Sequence, residues 1–330
     1  MKETLLCCRI TAQEKGLYRL CHDGVEQAAQ VSGKFQYEAL GPSDYPTVGD
    51  EVLADLNGGG QAVIHKVLPR KSLFLRKAAG TAREEQPVAA NVDILFLCMA
   101  LNNDFNLRRL ERYLAAAWNS GATPVVVLTK ADLCGNPSEK VAAVEEAAPG
   151  TDVLLTSAAQ EDGIRPLLPY LTTGRTVAFV GSSGVGKSTL MNGLLGKEIL
   201  ATGGLRNDDR GRHTTTRRQM FFLPGGAALI DTPGMRELGL WDSESGLETA
   251  FADIEALARQ CRFQDCRHEK EPGCAVRAAL ASGELSEERF RSWQRLSAEN
   301  RYADDRAAHM SAKEKKFRMI AQFNKSNSKR

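Results

Sequence analysis

The segment Gly181-Ser182-Ser183-Gly184-Val185-Gly186-Lys187-Ser188 fits G-x-x-x-x-G-K-[ST], the pattern of a loop that binds nucleotide phosphates. Its glycines let the backbone come close to the phosphates and turn its N–H groups toward them. Lys187 would bridge the β- and γ-phosphates, the Ser188 hydroxyl would hold Mg²⁺, and Thr189 comes next, where the helix begins. Further along the chain, Asp231-Thr232-Pro233-Gly234 supplies a second element. There Asp231 would reach Mg²⁺ through water, and the Gly234 N–H would meet the γ-phosphate.

A base-reading element, Thr129-Lys130-Ala131-Asp132, lies before the phosphate loop. The Asp132 carboxylate is an acceptor suited to the N1–H and 2-amino donors of guanine, a pair that adenine lacks. Lys130 would lie along the base plane. Thr129 stands where such turns usually carry Asn, and its hydroxyl can still tie neighbouring loops together. Ser157-Ala158 is the companion element on the base side. A simple GTPase runs phosphate loop, switch threonine, DxxG, NKxD, SA; here the last two come first. The permutation places the end of the second switch at a domain boundary, where a nucleotide-driven movement can pull on the next domain.

Between the phosphate loop and Asp231 lies the polar stretch 203–217, with Arg206, Arg210, Arg212 and Gly211-Arg212-His213-Thr214-Thr215-Thr216. A loop this polar is expected to move, and either Thr215 or Thr216 to bind Mg²⁺ when the γ-phosphate is present. Many GTPases orient the attacking water with a glutamine after DxxG. Met235 holds that position here and cannot do so, which predicts slow intrinsic hydrolysis and makes His213 the candidate catalytic residue.

A separate cluster, Cys261-x4-Cys266-x-His268-x5-Cys274, offers three thiolates and one imidazole around Pro272-Gly273. Four such ligands close a tetrahedral zinc site with no open position, so the ion would be structural. The chain has eight cysteines in all. The others are scattered, and Cys98 falls within an apolar strand, the pattern of ordinary buried thiols.

The elements that must position these residues are legible in the periodicity. Residues 1–75 form short alternating segments, including Lys34–Leu40 and Val48–Leu53, with a hairpin turn at Asn57-Gly58-Gly59-Gly60; they predict a small β-barrel. Residues 76–90 read as a linker. From 91 to 240 strands alternate with helices: 92–99, 124–128, 152–155 and 176–180 as strands, 107–117 and 139–147 as helices, and a hairpin over 219–230. That alternation predicts a doubly wound α/β sheet with ligands beyond the carboxyl ends of its strands. Residues 241–330 predict a helical zinc-binding domain, with helices at 247–259, 275–281 and 287–296 and a basic tail over 313–330. Net charge is +2 over 330 residues, so any basic surface must be local. No apolar run reaches the ~18 residues of a membrane span, and the start lacks a signal-peptide layout. The chain is expected in the cytoplasm, away from membranes, as a monomer.

Taken together, the phosphate loop with its preceding Phe179-Val180, the Gly211–Thr216 run, Asp231–Gly234 and the Cys261–Cys274 spacing resemble the circularly permuted GTPases of small ribosomal subunit biogenesis, the RsgA or YjeQ family. The resemblance covers nearly the whole chain. It implies an N-terminal OB-fold, a permuted GTPase domain and a C-terminal zinc domain with a helical extension. It also implies GTP hydrolysis to GDP stimulated by the small (30S) subunit, binding to 16S rRNA in late maturation, and a catalytic role for His213. An OB-fold offers a nucleic-acid face, with Lys34, Phe35 and Tyr37 as candidate contacts. Two other readings compete: a regulatory GTPase without a ribosomal partner, and a zinc RNA-binding module with a vestigial nucleotide site.

Overall fold

In the computed structural model, residues 5–14, 16–56, 60–77, 85–102, 104–200, 218–231, 244–298 and 301 are described. The centre of the expected turn, 57–59, and the basic tail over 313–330 lie outside them. The chain forms two compact units, Met1–Gly239 and Leu240–Arg330.

The first unit opens with five strands: β1 (Leu6–Glu14), β2 (Leu17–His22), β3 (Val25–Val31), β4 (Glu51–Asp55) and β5 (Ala62–Val67). They join in the order β1-β2-β3-β5-β4, and β4 returns to pair with β1 through Leu6↔Ala54 and Arg9↔Glu51. The result is a closed, OB-like barrel. Alternation drives closure, because one face of each strand points inward. Ile10, Leu20, Val52, Ala54 and Ile64 fill the centre and are all fully buried.

The segment Lys34–Leu40 is not a strand, despite its alternation. Gly33–Glu38 forms a short helix, α1, between β3 and β4. Ser32 caps it, its Oγ accepting from the Phe35 N–H at 3.1 Å, and Lys34 and Glu38 pair one turn apart. Phe35 packs edge-on against Tyr45, while Tyr37 is 91% exposed.

The expected linker also carries structure. β6 (Leu73–Lys77) and β7 (Glu85–Ala90) pair antiparallel, and Val88, Ala89 and Ala90 are fully buried. Burial of these small apolar side chains outweighs the Pro87 signal for an unstructured connection, and residues 78–84 of the expected linker lie outside the described residues.

The alternating region comes next: β8 (Ile94–Ala100), α2 (Leu107–Ser120), β9 (Thr123–Thr129), α3 (Pro137–Ala147), β10 (Val153–Leu155), β11 (Thr176–Val180), α4 (Lys187–Leu195), β12 (Arg218–Phe222) and β13 (Ala228–Asp231). Its sheet runs β10-β9-β8-β11-β13 in parallel, with β12 antiparallel beyond β13. Every residue of β8 and β11 is buried, as strands covered on both faces require. The sheet does not stop at β12. Gln13 and Ala12 of β1 pair with Arg218 and Gln219, so the barrel and the α/β sheet form one eleven-stranded sheet. Arg218 clamps the junction, donating to Pro87 O at 2.6 Å and Gln13 Oε1 at 3.3 Å.

The second unit contains α5 (Glu244–Ala250), α6 (Ala252–Ala258), α7 (Ala275–Ser282) and a helix α8 over 287–298. The single helix expected over 247–259 is broken at Phe251, whose backbone leaves the helical region (φ −120°, ψ 38°). Phe251 is fully buried, and the Arg289 guanidinium of α8 lies 4.8 Å over its ring. Arg289 also donates to Ala250 O and makes a two-point contact with Asp253, both at 2.7 Å. A tertiary partner thus takes up the polar groups that the break releases. Among the described residues no helix is long and apolar enough to cross a membrane.

Candidate nucleotide and metal sites

In the parallel sheet every nucleotide element sits just past the carboxyl end of a strand: Gly181 after β11, Lys130 after β9, Ser157 after β10, and Asp231 as the last residue of β13. The neighbours β8 and β11 are joined by chain that runs out through β9 and β10 and back, so the crevice lies where strand order reverses.

The phosphate loop is shaped by close approach. Gly181 lies against β8, where an added Cβ would come 2.3 Å from Cys98 O. Gly186 (φ +105°) supplies the left-handed turn before α4, whose first residues are Lys187, Ser188 and Thr189. The N–H groups at a helix start are suited to anions. Val185 is anchored in the core at 1% exposure, while Ser183 and Gly184 face out. Lys187 Nζ donates to Gly181 O at 2.7 Å and Ser182 O at 2.6 Å, which holds the ammonium over the loop. Burial drives the Asp231 carboxyl above its usual range, opposed by the charge of Lys187. Cys98 beneath the loop is pushed up to about 12 by burial and is an inert thiol.

The base-side elements are bonded to one another and to the loop. Thr129 Oγ1 donates to Val185 O at 2.6 Å, and Lys130 Nζ donates to Gly184 O at 2.7 Å. Lys130 takes a left-handed backbone (φ 56°), which turns the chain sharply into Ala131–Leu133. Ser157 Oγ donates to Asp132 Oδ1 at 2.5 Å, fixing the carboxylate, and Ala131 N–H donates to Thr156 O at 3.2 Å. Asp132 and Ala158 are exposed, as residues facing a ligand would be. His213, Thr215, Thr216 and Gly234 lie outside the described residues, as does Met235.

Sequence motifs gave no warning of Asp104 and Arg109. The Asp104 carboxylate accepts from Ser182 Oγ of the phosphate loop and pairs with Arg109 at 2.9 Å. The acid sits in the loop between β8 and α2, and only the folded arrangement brings it to Ser182.

In the second unit Cys261, Cys266, His268 and Cys274 bring four ligand atoms within 4.8 Å of one another. Cys261 Sγ is 3.8 Å from Cys274 Sγ and 3.6 Å from His268 Nδ1, which is 3.4 Å from Cys274 Sγ. With Zn–S near 2.3 Å and Zn–N near 2.0–2.1 Å, a tetrahedron has edges of about 3.8 Å between sulfurs and about 3.5 Å between sulfur and nitrogen. The observed edges fit that ion through Nδ1. Cys274 is also the N-cap of α7, accepting from the Arg277 N–H at 3.4 Å. Burial opposes ionisation of Cys261, but hydrogen bonds from the Val276 and Ala275 N–H groups and from Cys274 and Cys266 together outweigh it and lower the thiol's pKa. His268 holds a left-handed backbone (φ 60°), a strain of the kind that metal sites retain.

A family model described as RsgA GTPase matches residues 67–241, more than half of the chain. The chain belongs to the RsgA GTPase family. It is therefore a GTP-hydrolysing enzyme with a circularly permuted GTPase domain. An ABC transporter model matches 166–329, a span that shares the phosphate loop but lacks the Thr129–Asp132 turn. Among RsgA relatives, "Small ribosomal subunit biogenesis GTPase RsgA 2" of Lactiplantibacillus plantarum is 51% identical over 295 residues, 89% of this chain and 83% of its own. "Small ribosomal subunit biogenesis GTPase RsgA" of Methanosarcina acetivorans is 45% identical over 308 residues, 93% of this chain and 82% of its own. The crystal structure of YjeQ from Thermotoga maritima superposes with a TM-score of 0.67 at 28% identity, covering 89% of this chain and 97% of that one. The structure of YloQ, described as a circularly permuted GTPase, shares the fold at 23% identity with a TM-score of 0.63, covering 92% of this chain and 96% of that one.

Proposed function

We propose that the chain acts in late maturation of the small ribosomal subunit, binding 16S rRNA in 30S particles in its GTP state and leaving on hydrolysis. The observation that carries this reading is identity of 51% and 45%, over about nine-tenths of the chain, to proteins named for small-subunit biogenesis. It works as a monomer in the cytoplasm.

Within this reading, Lys187 and the loop N–H groups of Gly181–Ser188 hold the β- and γ-phosphates. Asp132, oriented by Ser157, selects guanine, with Lys130 along the base and Ala158 beside it. Ser188, Asp231 and Thr215 or Thr216 are the residues for Mg²⁺, which supplies charge neutralisation at the phosphates when bound. His213 orients the attacking water, a task Met235 cannot take. The Cys261, Cys266, His268 and Cys274 site holds one structural zinc. Since Met235, and not a glutamine, directly follows Asp231–Gly234, hydrolysis is slow until the ribosomal particle completes the site.

The test is GTP turnover with and without purified small subunits, with Lys187→Ala as control. Strong stimulation, lost in Lys187→Ala, is the expected result. Unchanged slow turnover would keep the GTPase and remove the ribosome from its mechanism.

A further inference from the structure

Asp104 belongs to none of the nucleotide motifs, yet it grips the phosphate loop. Its Oδ2 accepts from Ser182 Oγ, and its Oδ1 lies 2.9 Å from the Arg109 guanidinium. Arg109 also donates to the Asp104 carbonyl. The segment presenting the acid is braced on both sides. The Asp104 N–H donates to Asn102 Oδ1 at 3.0 Å, and Asn106 caps α2 by accepting from the Arg109 N–H at 3.0 Å. On the far side of Ser182, its carbonyl accepts from Lys187 Nζ at 2.6 Å. A continuous path therefore runs Arg109–Asp104–Ser182–Lys187.

We infer that Asp104 is a positioning residue for nucleotide binding, fixing the second residue of the phosphate loop from the β8–α2 side. The inference rests on reading Gly181–Ser188 as the phosphate site. A loop that binds through backbone N–H groups works only if its peptide planes already point at the ligand, because ordering them on binding subtracts from affinity. Thr129 and Lys130 tie the loop at Val185 and Gly184. Both ties come from the base-reading turn. Asp104 supplies the tie on the opposite flank, at Ser182. A bare carboxylate beside an anion site would repel the phosphates, and Arg109 at 2.9 Å neutralises it.

Equilibrium binding of a fluorescent GDP analogue to the full chain tests this. Asp104→Ala and Ser182→Ala should each raise Kd about 5- to 10-fold, the scale of one hydrogen bond. The double variant should be no weaker than either single, since both remove the same contact. Asp104→Asn keeps an oxygen acceptor and should stay within about twofold of the natural protein. A general loss of packing would instead lower Tm and give losses that multiply. Multiplying losses, or unchanged Kd in both singles, would overturn the assignment. Should Asp104→Ala fail to fold, Ser182→Ala and Asp104→Asn decide alone: a weakened Ser182→Ala with near-natural Asp104→Asn supports it, and any other pattern overturns it. Lys187→Ala separates this from the underlying reading: if it binds as tightly as the natural protein, the phosphate site itself is misassigned.

Discussion

Thr129 Oγ1 donates a 2.6 Å hydrogen bond to the carbonyl oxygen of Val185, so the first residue of the base-reading turn also pins the middle of the phosphate loop. Both residues are buried, at 3% and 1% exposure, and water cannot replace the bond. Thr129→Val, which keeps the shape and removes the donor, should weaken GDP and GTP binding roughly tenfold. Thr129→Asn carries a donor of suitable reach and should restore most of it. Titration with a fluorescent nucleotide decides, and equal affinity in Thr129→Val would show that the bond is not used.

Base choice should depend on Asp132, and Ser157 should add affinity by holding its carboxylate. Asp132→Asn replaces two acceptors with one acceptor and one donor group, and should reduce the GTP-over-ATP preference about a hundredfold or more. Ser157→Ala frees the carboxylate it holds at 2.5 Å and should reduce affinity for GTP by roughly fivefold while preference survives. Competition between GTP and ATP reads both; an unaltered preference in Asp132→Asn would refute the base assignment.

Burial raises the Asp231 carboxyl above its unfolded value. The folded state then binds its proton more tightly than the unfolded state does. Its contribution to stability is present below the unfolded carboxylate range and is lost as pH rises through the folded value. Asp231→Asn should therefore raise Tm at neutral pH, by about 2–4 °C per kcal/mol relieved, while impairing Mg²⁺-dependent GTP hydrolysis. It should also flatten the fall in stability over that pH window. A lower Tm for the variant, measured without nucleotide or Mg²⁺, would mean the charge is compensated in the fold.

Metal content is the check on the second unit. Elemental analysis should find about one zinc per chain. Strong chelators, or Cys274→Ser, should remove it and cut helical circular dichroism, since Cys274 caps α7 and α8 packs Trp293 5.6 Å from the His268 ring. Metal-free protein with full helicity would show that packing alone holds these helices.

Much of this was readable from sequence because the responsible forces are local. Strand β11 falls on 176–180 as periodicity predicts, and α2, α3 and α7 start or end within a few residues of expectation. Fully apolar runs and glycine spacing encode those elements directly. The misreadings have two causes, one a local cap masked by alternation and the other a distant partner. Lys34–Leu40 alternates like a strand, but the Ser32 cap made it a helix; the 247–259 helix breaks at Phe251 because Arg289, far along the chain, claims the break. The tie from Asp104 to Ser182 joins residues 78 positions apart, and no local pattern announces it.

The pairing of β1 with β12 has a consequence for how the chain is made. Gln13 and Arg218 are 205 residues apart, so the barrel strand emerges long before its outer neighbour. At about 5–20 residues per second, the delay is roughly 10–40 s. The barrel can close within itself through β4 well before then, leaving the Ala12–Gln13 edge bare until β12 arrives. Synthesis thus hands a finished template to a late strand, and a nascent chain stalled before residue 218 would present that raw edge to its neighbours.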